Sequence, residues 1–141
     1  MPRDTARGMS QENVEIVVGY FEAVDLAASI DALAEDVTFV FHGETRHLAG
    51  AETVSGKSAA VAWLADWFSR FHPDYRFEVE EVLDWDDHVL VVTTNRGKGR
   101  ASGVPISRQT AQLMTVRDGK IVRQDFFASR AEALEAAGLS E

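Results

Sequence analysis

Residues 116–127 read Val116-Arg117-Asp118-Gly119-Lys120-Ile121-Val122-Arg123-Gln124-Asp125-Phe126-Phe127. Asp118-Gly119 marks a two-residue hairpin turn, because such turns need positive φ, which Gly adopts freely and Asp tolerates. Two strands joined by that turn are expected. Under simple alternation Ile121, Arg123, Asp125 and Phe127 share one face of the second strand. A carboxylate beside Ile and Phe on a core-facing side is either paired or chemically employed.

Upstream of the hairpin, about 76–84, 88–98 and 106–117 read as long strands, with Asp86-Asp87 and the segment Ala101-Ser102-Gly103-Val104-Pro105 as turns. Earlier still, Lys57 to His72 predicts a helix with the stripe Ala60, Leu64, Trp67, Phe68 and Phe71, ended by Pro73. His42 to Ser55 is a polar loop with room for one short strand, and Val37–Phe41 is a β-branched and aromatic strand. Ser29–Ala34 forms a short helix. Ser10 caps a helix over about Gln11–Asp25, whose stripe is Val17, Tyr20, Phe21 and Val24. Beyond the hairpin, Ser129 and Glu132 make a capping box for a last helix, Arg130–Ala137, stopped by Gly138.

Residues 1–9 read as a mobile extension, with Met9 offering a second start, and 10–141 as one domain. Helices, one strand, a helix and then a run of antiparallel strands is an α+β order, not βαβ. Along the strand from His88, Val89, Val91 and Thr93 oppose Leu90, Val92 and Thr94, so both faces are apolar. Helices cover one face. A second copy of the chain is the simplest cover for the other, and a homodimer through the outer sheet face is expected.

Composition narrows the partners. The 141 residues carry a formal net charge of −9, which argues against nucleic acid and against an anionic membrane surface. No apolar run approaches the length of a membrane helix. There is no cysteine, so thiolate chemistry and disulfides are excluded, in keeping with a cytoplasmic setting. His42, His47, His72 and His88 lack metal-ligand spacing. Gly50 through Gly56-Lys57-Ser58 imitates a phosphate loop, but five residues separate the two glycines where that loop needs four.

Asn13-Val14-Glu15-Ile16-Val17 with Tyr20-Phe21-Glu22-Ala23, then Ala34-Glu35-Asp36-Val37, Thr115 through Arg123 and Ala131 through Leu139 resemble the SnoaL-like branch of the NTF2-like superfamily. Ketosteroid isomerase and polyketide cyclases belong to that superfamily. The resemblance implies a cone in which a curved antiparallel sheet wraps around about three helices plus a short C-terminal helix, with a deep apolar pocket. It aligns Tyr20 with the tyrosine that holds the substrate oxygen in the steroid isomerases. It puts Phe41 where their general base stands and Gln112 near their second acid, which argues against steroid isomerase chemistry. The stretch Val24–Ala34 is shorter than usual for the family.

Asp125 is therefore the sharpest candidate: a proton donor or acceptor if the pocket desolvates it, or half of an ion pair with Arg123 or Arg96. Tyr20 is a candidate hydrogen-bond donor to a substrate oxygen, or core with a satisfied hydroxyl. Gln112, Phe41, Trp63, Trp67, Met114 and Phe127 are expected around the ligand. His42, of opposite parity to Phe41, reads as a surface-loop residue rather than a base. Two functions stay open. One is cofactor-free proton-transfer chemistry, of cyclase, isomerase, dehydratase or hydrolase type, on a small hydrophobic oxygenated molecule. The other is binding of such a molecule without catalysis.

Overall fold

The computed structural model describes residues 2–23, 26–85 and 88–138. The order is α1 (Pro2–Glu22), α2 (Leu26–Ile30), β1 (Leu33–Phe41), α3 (Thr45–Ala49), β2 (Thr53–Ser55), α4 (Lys57–Ser69), β3 (Arg76–Trp85), β4 (His88–Lys98), β5 (Pro105–Arg117), β6 (Lys120–Phe127) and α5 (Arg130–Ala137). The α+β class stands. The expected end of the first helix at Asp25, with Val24 on its stripe, and the Asp86-Asp87 turn lie outside the described residues.

Several boundaries differ from the sequence reading. Thr45–Ala49, expected within a loop, is the short helix α3, and α4 ends at Ser69 rather than His72. The segment expected as an extension is helical from Pro2 on, so Ser10 lies inside α1 rather than capping it. Proline at a helix start forfeits no hydrogen bond, since its N–H would have had no partner. β1 begins at Leu33, within the stretch expected as a second helix. The last helix starts as expected: the Ser129 side chain accepts from the Glu132 backbone N–H, and Gly138 ends it in the left-handed conformation.

Six strands form one sheet in the order β2-β1-β6-β5-β4-β3. Its neighbours are antiparallel except β1 and β6, which run parallel, so the sheet is mixed rather than wholly antiparallel. The Asp118-Gly119 turn has φ of 50° and 76°, as the hairpin requires. One feature of this hairpin departs from alternation. Val116 pairs with Ile121 and Thr115 with Arg123, so one step along β5 matches two along β6. Val122 is the extra residue of a β-bulge. A second bulge lies in β3, where Val79 pairs with Thr93 and Glu81 with Val92. Bulges bend and twist a sheet, which suits one that curves around α1 and α4.

The inner face of the sheet carries Phe39, Phe41, Val89, Val91, Met114 and Ile121, packed with Val17, Tyr20 and Phe21 of α1 and Ala60 and Leu64 of α4. On the outer face a smaller cluster joins Leu90, Val92, Ala111 and Phe127 to Ala133 and Leu134 of α5. The C-terminal helix thus supplies cover that the sequence reading assigned to a second copy.

Candidate functional site

Between α1, α4 and the inner face of the sheet lies a cavity of about 840 Å³, a size that suits a small organic ligand. One wall is aromatic. Phe41 stacks on Phe126 at 4.5 Å between ring centroids and meets Trp63 at 4.9 Å, and Trp63 stacks on Trp67 at 5.6 Å. Trp63 is anchored by its indole N–H, which donates to the Ala49 carbonyl at 3.1 Å. Further around, Phe71 stacks on Tyr75 at 4.1 Å, and both line the cavity. These rings converge because β1 and β6 present alternate residues inward at the same level: Phe41 pairs with Phe126 and Phe39 with Gln124.

Polar groups reach the cavity from the sheet and α1, and Thr45, Tyr75, Arg76 and Arg108 also border it. The Tyr20 hydroxyl donates to Gln124 Oε1 at 2.8 Å, in a contact buried on both sides. Burial holds the Tyr20 phenol pKa above its ordinary value. Burial also raises that of Tyr75, although hydrogen bonds with Trp67 and Asn95 and the charge of Arg108 oppose the rise. Gln112, Thr110 and Asn95 border the cavity from β5 and β4. Their positions follow from the register, in which Val91 faces Gln112, Thr93 faces Thr110 and Asn95 faces Arg108. The carboxylates around the cavity, among the described residues, are those of Glu22 and Asp74, both exposed.

Of the residues expected from sequence, Tyr20, Gln112, Phe41, Trp63 and Trp67 all meet at this cavity. Met114 does not reach its wall. It is fully buried in the main core. Phe127 borders the cavity, but its ring packs in the outer cluster and stacks on His42 at 4.5 Å.

Of the two readings of Asp125, the structure has the ion pair with Arg123, and it corrects the face that simple alternation assigned. Asp125 is not among the residues around the cavity and lies on the opposite face. The bulge at Val122 is the reason: beyond it Gln124 and Phe126 point inward, while Arg123, Asp125 and Phe127 point outward. There the carboxylate, 5% exposed, is held on both oxygens. Arg123 Nε donates to Oδ2 at 2.8 Å and Arg123 Nη2 to Oδ1 at 3.0 Å. His42 Nε2 lies 2.8 Å from Oδ1. The Asp125 carboxylate holds the Arg123 guanidinium above its ordinary pKa. His42 is thus tied to the outer face rather than free in a loop. Among the described residues no group of three or more His, Cys, Asp or Glu could hold a metal ion.

Gln124 and Phe126 were missed by the sequence reading, because alternation counted without the bulge sends them outward. Asn95 and Thr110 were missed for lack of any motif. Only the pairing of β4 with β5 brings them together.

The sequence pattern of the SnoaL-like domain matches residues 14–124. The chain belongs to the SnoaL-like domain family. Several solved structures share the fold of this SnoaL-like domain. One is TerC, co-crystallised with polyporic acid, at 20% identity and TM-score 0.70 over 91% of this chain and 97% of that one. Another is a candidate SnoaL-like polyketide cyclase from Jannaschia sp. CCS1, at 22% identity and TM-score 0.72 over 92% of each chain. A third is a hypothetical protein with a ketosteroid isomerase-like fold from Catenulispora acidiphila DSM 44928, in complex with trimethylamine, at 22% identity and TM-score 0.68 over 89% and 93%. At such identities the likeness shows the fold, the NTF2-like cone expected from the sequence. A search of curated proteins finds no match. No described helix of this SnoaL-like domain is long and apolar enough to cross a membrane.

Proposed function

We propose that the chain binds a small, hydrophobic, oxygenated organic molecule in the cavity between α1, α4 and the sheet, as a binding module rather than through catalysis by Asp125. The observation that carries this reading is the wall itself: stacked aromatic rings beside hydroxyl and amide groups, in about 840 Å³. Aromatic walls supply apolar contact, and a few polar groups orient the ligand. That a protein of the same fold was crystallised with polyporic acid supports a small organic occupant. The proton-transfer alternative draws less support. It requires an acid or base facing the ligand, and the described carboxylates around the cavity are solvent-exposed Glu22 and Asp74. A homodimer through the rest of the outer face and a cytoplasmic setting belong to the same reading, the latter in keeping with the cysteine-free composition. Light scattering measures the former.

The test is a ligand panel of polyketide-like aromatics, terpenoids and steroids, read by thermal shift and tryptophan fluorescence. Ligands that bind only the folded state raise the melting temperature, and those seated on Trp63 and Trp67 change their emission. Both responses are expected from the aromatic members. If no compound moves either signal at solubility-limited concentration, the cavity is not a binding site for this class.

A further inference from the structure

Gln112 lies on the inner face of β5, borders the cavity and is 4% exposed. Its Nε2 donates to Thr110 Oγ1 at 3.0 Å, while its Oε1 is buried and has no hydrogen-bond partner. The surrounding network fixes which end of the amide is left over. Thr93 Oγ1 donates its single proton to Asn95 Oδ1 at 3.1 Å. The 3.2 Å contact between Thr93 Oγ1 and Thr110 Oγ1 then has to use the proton of Thr110. Thr110 is left with lone pairs toward Gln112, so it takes the amide nitrogen and the oxygen is turned away. Asn95 holds its own orientation, with Nδ2 reaching Thr110 Oγ1 at 3.5 Å and a side-chain hydrogen bond to Tyr75.

A second group bordering the cavity, on α1, is in a similar condition. The Tyr20 hydroxyl spends its proton on Gln124 Oε1, so what it has left for a ligand is a lone pair. Two polar groups of the cavity therefore ask for donors. A buried acceptor with no partner carries a desolvation penalty until a donor reaches it. The terminal torsion of a glutamine is broad, so a modest swing presents Oε1 to a bound molecule.

From this wiring we infer that the cavity selects a ligand that donates hydrogen bonds, an aromatic phenol or enol or an N–H compound, and that Gln112 Oε1 is its acceptor. The inference rests on the reading that the cavity holds a small molecule. It reverses the polarity expected for an oxygen-holding site, in which Tyr20 and Gln112 would donate to a ligand oxygen. Placed between Tyr20 and Gln112, a ketone or ether offers only lone pairs and meets acceptors.

The experiment is a matched pair of uncharged probes, 4-phenylphenol and 4-methoxybiphenyl, titrated by calorimetry and tryptophan fluorescence. The phenol is expected to bind about tenfold tighter, the size of effect that one satisfied buried acceptor produces. In Gln112→Met, checked for its fold by circular dichroism, the two probes should bind within about threefold of each other. Equal affinity of both probes for the unaltered protein overturns the inference and leaves the cavity as a binding site. So does an undiminished phenol preference in Gln112→Met. Failure of both probes and of the wider aromatic panel removes the binding reading, and the inference with it.

Discussion

Ile121 and Arg123 stand two residues apart in β6 and point to opposite faces of the sheet. Ile121 is fully buried in the inner core, while Arg123 is exposed and pairs with Asp125 on the outer face. A single extra residue, Val122, separates two parities of the same strand. It delivers Gln124 and Phe126 to the cavity and withdraws Asp125 from it.

Asp125→Ala tests that withdrawal. The carboxylate links Arg123 and His42, and so ties β6 to the end of β1. Its loss should destabilise the fold by about 2 kcal/mol, as for removal of a buried hydrogen-bonded charge with part-exposed partners. Affinity for an aromatic probe should stay within about twofold, because its side chain does not face the cavity. Denaturant unfolding and a probe titration measure the two. A variant of unchanged stability that no longer binds would return Asp125 to the site.

Tyr20 and Gln124 should behave as a coupled pair. Tyr20→Phe removes the donor and leaves Gln124 Oε1 buried without its hydrogen bond, at a cost of about 1–3 kcal/mol. Combining it with Gln124→Leu should cost less than the sum of the two single changes, with a coupling of about 1 kcal/mol. Strict additivity in the double-mutant cycle would mean that the 2.8 Å bond contributes nothing.

Gly97→Ala probes the wall near Tyr75. A Cβ on Gly97 would sit 2.8 Å from Tyr75 Cα and 2.9 Å from its Cδ2, closer than packed carbons approach. The strand must shift, and such overpacking costs about 1–3 kcal/mol. Because Tyr75 lines the cavity, probe affinity should fall together with the melting temperature. An alanine variant with native values of both would show the neighbouring backbone to be yielding.

Alkaline titration should register the two tyrosines of the chain, Tyr20 and Tyr75. Burial raises both above 10.0, the ordinary value of a tyrosine phenol. Near pH 10.0 the unfolded chain starts to release these protons while the folded chain keeps them. The tyrosine contribution to stability is therefore complete below that pH and is lost as pH rises through the folded values. Thermal melts should show a decline setting in above pH 10, with phenolate absorbance appearing alongside unfolding. Half-ionisation of both phenols at or below pH 10 in protein that is still folded would contradict the upward shifts that burial gives them.

Much of the fold was legible because its signals are local. The Asp118-Gly119 turn, the Ser129 and Glu132 cap and the stripe Ala60, Leu64, Trp67 all report on chain neighbours, and the described structure agrees with each. Tyr20, Phe41, Gln112 and the two tryptophans reached the cavity because their elements were assigned correctly. The errors lie where the outcome depends on pairing. No residue type announces the bulge at Val122, since Val suits a regular strand as well as a bulged one. Asn95 joins the site only through the register of β4 on β5. The start of β1 at Leu33 reflects pairing as well: Leu33 aligns with Ile121 of a strand far along the chain.

The parallel pairing of β1 with β6 bears on how the polypeptide is made. The strand that completes the sheet comes last of the six and sits between β1 and β5. Until it emerges from the ribosome, β2-β1 and β5-β4-β3 are two fragments with raw inner edges, and Tyr20 waits for a partner 104 positions away. Such high contact order slows folding and prolongs the time in which sticky edges are open to other chains. Shortening the polypeptide before Lys120 should therefore yield an aggregating product rather than a smaller soluble one.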